Sequence, residues 1–369
     1  MNDFTNAFKQ FKINGDFLSL TQKFPSPIPE AITFSLPACH VTLLDSGVLS
    51  IEPKGYEEGK DSATDLIISS GIHGNETAPI EIVNLLVQGI IKEEITVNIR
   101  LLLIIGNPVA MNINQRFSDE NLNRLFTHSA IKKTRTTHNS YEQQRAINLM
   151  DYVNKFFNDP THNTGNKPKT RLHYDLHTAI RSSVFEKFAI YPFQANQSFD
   201  KQQLVFLQQC GINTILFSHA PSYTFASFTK NHFNAHSFTI ELGKVNPFGE
   251  NNMLNFTLIQ KKLTGLILDK RMKRPRFNNK NFKLFQVIAS IKKTSEHFIL
   301  HVDDDVANFT QYKKGSLLAE DISLKNSPSV GKELSPHYIT QHLAEYIVFP
   351  NKKVVNGERA ALLAIPTTL

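Results

Sequence analysis

The stretch DLIISSGIHGNETAP, residues 65–79, passes from an apolar run through a glycine-flanked polar turn into a segment of helical period. A short apolar run closed by Gly71 reads as a buried strand. Ile82, Val83, Leu86, Val87 and Ile90 then recur at helical spacing over residues 78–92, the apolar face of a helix laid against a sheet. Where strand gives way to helix, open α/β sheets gather their ligands. His73 and Glu76 stand in that turn three positions apart, and neighbours one helical turn apart can converge on one cation. Since both residue types are common at surfaces, a chance pairing in a loop is the alternative.

Outward from this stretch the same alternation continues. Further strands are expected at 98–105, 172–176, 188–191, 214–217 and 237–242, and sheet-covering helices at 141–157 and 252–268. Together they predict an α/β domain with a mixed, largely parallel sheet flanked by helices. Residues 31–36 and 47–51 are expected to add strands at its edge. Residues 161–169, rich in Asn, Gly, Pro and Thr, read as a surface loop. Composition changes at Lys270, Arg271, Lys273, Arg274, Arg276, Lys280 and Lys283, a basic run that is either a solvated linker or a phosphate-binding patch. The expected organisation is a catalytic domain over 1–270, a basic linker over 271–283 and a smaller β-rich C-terminal domain over 284–369.

Three more polar clusters fall at or after strand ends. In YDLHT, residues 174–178, an apolar strand ends on His177, which with His73 and Glu76 would give two imidazoles and one carboxylate. That is the donor composition of catalytic zinc sites that keep an open position. Asp175 shares a strand face with His177 and is either an acceptor that orients it or a satisfied strand-end carboxylate. In TIELG, residues 239–243, Glu241 interrupts an apolar run, so it needs a cation, a proton or a solvent-filled cleft. A general base is the functional reading and a structural salt bridge the alternative. After Gly106-Asn107-Pro108 come Arg116-Phe117 and DENLNRLF, residues 119–126. Arg116 and Arg124 offer planar forks for carboxylates or a developing oxyanion, with Asn123 as a neutral donor. Alternatively they pair locally with Asp119 and Glu120. Arg181, one turn past His177, either holds a substrate carboxylate or caps a loop.

Composition narrows the class. The 369 residues, 41% hydrophobic and 20% charged, are enough to bury a large core. Cys39 and Cys210 are too few for a disulfide framework or a thiolate zinc site. The opening MNDFTNAFKQFKING lacks the features of a secretory leader, and the longest apolar run, 101–105, is too short to cross a bilayer. The expectation is a cytoplasmic protein with no membrane segment. A net charge of +7 is modest for this length, and no nucleic-acid motif accompanies it, so a nucleic-acid partner is not expected.

The motifs GIHGNETAP, GNPVAM, RFSDENLNRLF, DLHTAIR and TIELGKVNPFG occur in the order seen in the succinylglutamate desuccinylases, a branch of the zinc carboxypeptidase and aspartoacylase superfamily. The tail, YIVFPN at 346–351 and GERA at 357–360, is similar too. This resemblance implies a zinc-carboxypeptidase-like three-layer domain and one Zn2+ per chain on His73, Glu76 and His177. It also implies Glu241 as catalytic carboxylate and substrate contacts from Arg116, Asn123 and Arg124, with Arg181 as a further candidate. The implied reaction is hydrolysis of the small acidic substrate N-succinyl-glutamate to succinate and glutamate, the last step of succinyl-dependent arginine degradation. In it Glu241 takes the proton of a zinc-activated water and Arg116 supports the oxyanion. Hydrolysis of another acidic N-acyl amino acid, such as N-acetyl-aspartate, is the alternative.

Overall fold

The structure is a computed structural model that describes residues 2–54, 64–127, 140–160, 169–195, 199–269, 275–321 and 337–369. Residues 161–168 of the expected loop, and Lys270, Arg271, Lys273 and Arg274 of the basic run, lie outside these.

Two helices, α1 (Asn2–Asn14) and α2 (Phe17–Lys23), precede an antiparallel trio, β1 (Ile32–Ser35), β2 (Cys39–Asp45) and β3 (Val48–Pro53). The alternating part follows: β4 (Thr64–Ser70), α3 (Thr77–Ile91), β5 (Arg100–Ile105), α4 (Pro108–Asn112), α5 (Tyr141–Phe157), β6 (Thr170–Ala179), β7 (Phe188–Tyr191), α6 (Lys201–Gln209), β8 (Thr214–Phe217), α7 (Phe225–Phe233), β9 (His236–Lys244) and α8 (Thr257–Ile267). The remainder is β-rich: β10 (Lys283–Lys292), β11 (Phe298–Leu300), β12 (Thr310–Lys313), β13 (Leu317–Asp321), β14 (His337–Ile339), β15 (Ala344–Val348) and β16 (Arg359–Pro366).

Among the described residues, 13 strands form one mixed sheet in the order β1-β2-β3-β5-β4-β6-β9-β7-β8-β10-β16-β15-β12. Parallel pairing is concentrated at its centre, where β5, β4, β6 and β9 run side by side. Strand alternation sorts the central side chains between two helical layers. Leu66, Ile68, Leu101, Leu103 and Ile105 are buried with residues of α1, α2, α3, α6 and α8, whereas Ile67, Leu102 and Ile104 are buried with α5 and α7. Because both faces are covered, these strands are apolar throughout, which is why they stood out in the sequence. Each of these side chains, fully removed from water, contributes about 1.5–3 kcal/mol.

The 31–36 and 47–51 segments do form strands toward one edge of the sheet, with β2 between them. The helix expected over 252–268 opens as a 3-10 turn, Met253–Phe256, before α8. One buried cation fastens the hairpin to the centre. Arg145 of α5 donates to Asp45 Oδ2 (3.0 Å), Ser46 O (2.7 Å), Gly106 O (2.7 Å) and Ile105 O (3.2 Å).

The β-rich part continues the same sheet, because β10 pairs in parallel with β8 and antiparallel with β16. A second sheet of three strands, β11-β13-β14, lies over it, and Ile291, Leu300, Leu318, Ile347 and Leu363 share the core between them. Phe188, Phe285, Phe309, Val348 and Leu362 form a further cluster that binds the two parts together. No helix among the described residues is long and apolar enough to cross a membrane.

Candidate metal centre

The carboxyl ends of β4, β6 and β9 meet at one point, and each delivers a side chain there. The turn after β4 carries His73 and Glu76. Glu76 occupies the N-cap of α3 but its side chain makes no capping bond. Its carboxylate turns instead toward β6, where Oε2 lies 2.9 Å from His177 Nδ1 and accepts the backbone N–H of Thr178 at 3.1 Å. Helix capping, worth about 1 kcal/mol, is thus given up for the site. The turn can be this tight because Gly74 has no side chain: a Cβ there would stand 2.2 Å from the backbone of Ala110 and Met111 in α4.

Both imidazoles are held from behind. His73 Nε2 donates to Asn121 Oδ1 at 3.0 Å, and His177 Nε2 donates to Asp175 Oδ2 at 2.8 Å. Each bond fixes a tautomer and turns Nδ1 inward. His73 Nδ1 lies 2.8 Å from Glu76 Oε1, yet the approach is poorly aligned and that buried nitrogen has no hydrogen bond. Two Nδ1 atoms and a carboxylate, with donor atoms of all three residues within 4.8 Å of one another, fit a divalent cation better than they fit each other.

Electrostatics follow from this crowding. Burial, then Arg116, holds the His73 imidazole down at about 4, so that it stays neutral. Burial also disfavours a charge on His177, but the Asp175 and Glu76 carboxylates overcome it and raise its pKa. For Glu76, burial is outweighed by His73 and His177, which keep the carboxyl low.

Asp175 is itself anchored. Its Oδ1 accepts from Ser69 Oγ at 2.6 Å, and Ser69 lies 2.7 Å from His173 Nε2, whose Nδ1 meets Thr229 Oγ1 at 2.8 Å. Asp175 is therefore an acceptor that orients His177, one of its two readings. Ser69 and His173 were not picked out from the sequence, although His173, Asp175 and His177 share a face by strand alternation.

Glu241 lies toward the carboxyl end of β9, in register with His177 on β6. Its carboxyl is buried, and Oε2 has no hydrogen-bond partner. Burial, then the Glu76 carboxylate, pushes its pKa up to about 7. A structural salt bridge, the alternative reading for this residue, is not seen among the described residues.

The loop after α4 supplies the remaining candidates. Arg116 Nη1 donates to Glu76 Oε1 at 2.8 Å, and Gly74 N donates to Arg116 O at 3.2 Å. The buried Glu142 carboxylate gathers the backbone N–H groups of Ser118 and Asp119, which fixes the loop. Asp119 and Glu120 accept from the start of α5, from Tyr141 N and Ser140 Oγ, rather than from Arg116 or Arg124. Asn123 is buried, with Oδ1 accepting from Phe225 N at 2.9 Å, and Arg124 Nη1 donates to Asn123 O at 2.9 Å. Arg181 points elsewhere, donating to the backbone carbonyl of Asp304 in the β-rich part.

Fold and donor set together define an α/β chain with a candidate cation centre at the carboxyl ends of its central parallel strands. Residues 62–267 match the succinylglutamate desuccinylase/aspartoacylase catalytic domain, and residues 280–367 match the AstE/AspA barrel-sandwich hybrid domain. The chain belongs to the succinylglutamate desuccinylase/aspartoacylase family, as the resemblance carried by its motifs implied. It is 42% identical over 356 residues to the succinylglutamate desuccinylase of Shewanella pealeana, covering 96% of each chain. It is 41% identical to that of Pseudoalteromonas atlantica, covering 96% of this chain and 95% of the relative. Among solved structures, the succinylglutamate desuccinylase of Chromobacterium violaceum superposes with TM-score 0.77 at 32% identity, covering 96% of this chain and 98% of that one. Murine aminoacylase 3, at 18% identity and TM-score 0.56, covering 84% of this chain and 98% of that one, shares the fold.

Proposed function

We propose that this chain is a zinc-dependent amidohydrolase that cleaves N-succinyl-L-glutamate to succinate and L-glutamate, in the cytoplasm, as the last step of succinyl-dependent arginine degradation. The observation that carries this reading is the inward convergence of His73 Nδ1, His177 Nδ1 and Glu76 beside Glu241, in a chain about two-fifths identical to relatives of that name.

A zinc ion on His73, Glu76 and His177 would supply a Lewis acid at the amide carbonyl and acidify an adjacent water. Glu241 Oε2, buried and unpartnered, takes the proton of the water that adds to the amide carbon and returns it to the departing glutamate nitrogen. In the metal-free protein burial, then the Glu76 carboxylate, raises its pKa to about 7, so this carboxyl is a basic one among carboxylates. Arg116, beside Glu76, supports the charge that builds on the carbonyl oxygen, a contribution of about 3–4 kcal/mol for one such donor. Asn123 and Arg124 meet substrate carboxylates, while Arg181, on the Asp304 carbonyl, ties the loop after β6 to the second part. Residues 1–270 would be the catalytic domain, 271–283 the linker and 284–369 the second domain.

The test is metal analysis of the purified protein together with succinate release, with and without chelator. Stoichiometric zinc and chelator-sensitive release from N-succinyl-glutamate are expected. Faster release of acetate from N-acetyl-aspartate would shift the assignment to that substrate, and protein without metal would overturn it.

A further inference from the structure

A third guanidinium comes from the GERA segment of the tail, for which the sequence assigns no role. Arg359 opens β16, and its guanidinium lies 5.9 Å from the centre of the Phe349 ring. Phe349 packs on Phe188 with ring centres 5.8 Å apart, and Phe188 pairs with Glu241 across the antiparallel β7–β9 contact. A continuous run of contacts therefore leads from the Glu241 strand end to Arg359. The neighbouring segment is fixed by Phe349 N donating to Asn308 Oδ1 at 2.7 Å, and by Asn308 N donating to Ser182 O at 2.9 Å. The tilted Phe188–Phe349 contact and these bonds set where Arg359 stands relative to the loop after β6.

Its chemical surroundings are unusual for an arginine. Among the described residues, no carboxylate or carbonyl accepts a hydrogen bond from its side chain, which is largely buried. Burial, then Arg124, with Arg116 adding and Glu358 opposing, brings it down to about 9. Arg124 is lowered in turn by burial and by Arg116. Gathering like charges away from water costs free energy unless an anion joins them, and a guanidinium fork is matched to a carboxylate.

We infer that Arg359 is a specificity-determining residue that binds one substrate carboxylate remote from the scissile amide, so that the β-rich part completes the acidic-substrate site. This rests on the proposed activity, whose substrate carries three carboxylates. Arg124 and Arg359 then approach the substrate from opposite parts of the chain, with the Phe349 ring beneath Arg359.

The experiment compares N-succinyl-L-glutamate with three analogues that each lack one carboxylate: N-butanoyl-L-glutamate, N-succinyl-4-aminobutyrate and N-succinyl-L-glutamine. Wild type, Arg359→Ala and Arg359→Lys are assayed with metal content and melting temperature as controls. For the parent substrate, Arg359→Ala should raise KM about ten- to a hundredfold with kcat much less affected, and Arg359→Lys should recover part of the loss. For one analogue, wild type and Arg359→Ala should share the same KM, because the lost carboxylate is the one Arg359 held. An unchanged KM for the parent, or an equal rise for the parent and all three analogues in both variants, would overturn the inference while leaving the activity standing. Wild type that releases no succinate would instead overturn the activity itself.

Discussion

His177 and Glu241 occupy the same level of two adjacent parallel strands, β6 and β9. The proposed cation donor and the proposed base are therefore placed by sheet register rather than by loop conformation. Slipping β9 by one residue would turn Glu241 to the opposite face of the sheet and bring an apolar neighbour, Ile240 or Leu242, into its place.

Glu241→Gln preserves the shape of the buried side chain and removes the proton acceptor. Turnover of N-succinyl-glutamate should fall about 10²–10⁴-fold while zinc stoichiometry is unchanged. Succinate release and metal analysis on the same preparation decide it, and near wild-type turnover would remove Glu241 from the role of base.

The same carboxyl makes stability depend on pH in the metal-free protein. Its folded pKa, about 7, lies above the ordinary 4.5, so the folded state favours the protonated form and loses stability as pH rises from about 4.5 to about 7. The difference in melting temperature between metal-free Glu241→Gln and metal-free wild type should therefore widen in favour of the variant over that interval. A constant difference from pH 4.5 to 8 would contradict it. Activity runs the other way, since the base works ionised: kcat/KM should fall toward low pH.

Removing one imidazole leaves two donors. His73→Ala and His177→Ala should each lose stoichiometric zinc and with it turnover. Chelation of the wild type should lower its melting temperature, because a cation present at a thousandfold over its Kd contributes about 4 kcal/mol. Full zinc content in His73→Ala would exclude His73 as a ligand.

Gly74→Ala tests how closely the first turn of the site abuts α4. The added methyl meets backbone, not a flexible side-chain end, so the expected cost is about 1–3 kcal/mol or more. Denaturant unfolding reads the stability, and a matching loss of zinc affinity would show that the displaced turn carries His73 and Glu76 with it.

Arg145→Ala leaves Asp45 buried without its cation and several carbonyls without a donor. A loss of about 3–5 kcal/mol is expected by denaturant unfolding. Arg145→Lys should recover little, because one ammonium cannot reach all four acceptors.

The central strands and the polar turns after them were legible because each apolar run ends abruptly on a residue that is costly to bury alone. His177 and Glu241 announce themselves this way, whereas His73 and Glu76 stand in the polar turn that follows Gly71. Other elements send weaker signals. Lys201–Gln209 and Phe225–Phe233 are single short helices whose aromatic and polar residues mix without a long apolar stripe, and neither was expected from the sequence. The strand Cys39–Asp45 was also missed; its alternating burial pattern is carried by only a few apolar side chains. Asn121, which holds His73, stands in the DENLNRLF segment with no spacing that marks it as a partner of an imidazole 48 positions away. Arg359 stands in the quoted GERA segment, but its role is not legible there, because only the path of β16 back beside β10 and β15 brings it near residues so distant in sequence.

That shared sheet has a bearing on how this protein can be dissected. The two matched family regions meet at the β8–β10 ladder, so cutting between them would strip hydrogen-bonding partners from a row of backbone groups on each fragment. Fragments with such raw borders tend to self-associate rather than remain separate soluble halves. Each half serves as the other's protective margin, and truncation products of this chain are expected to precipitate or to recombine with one another.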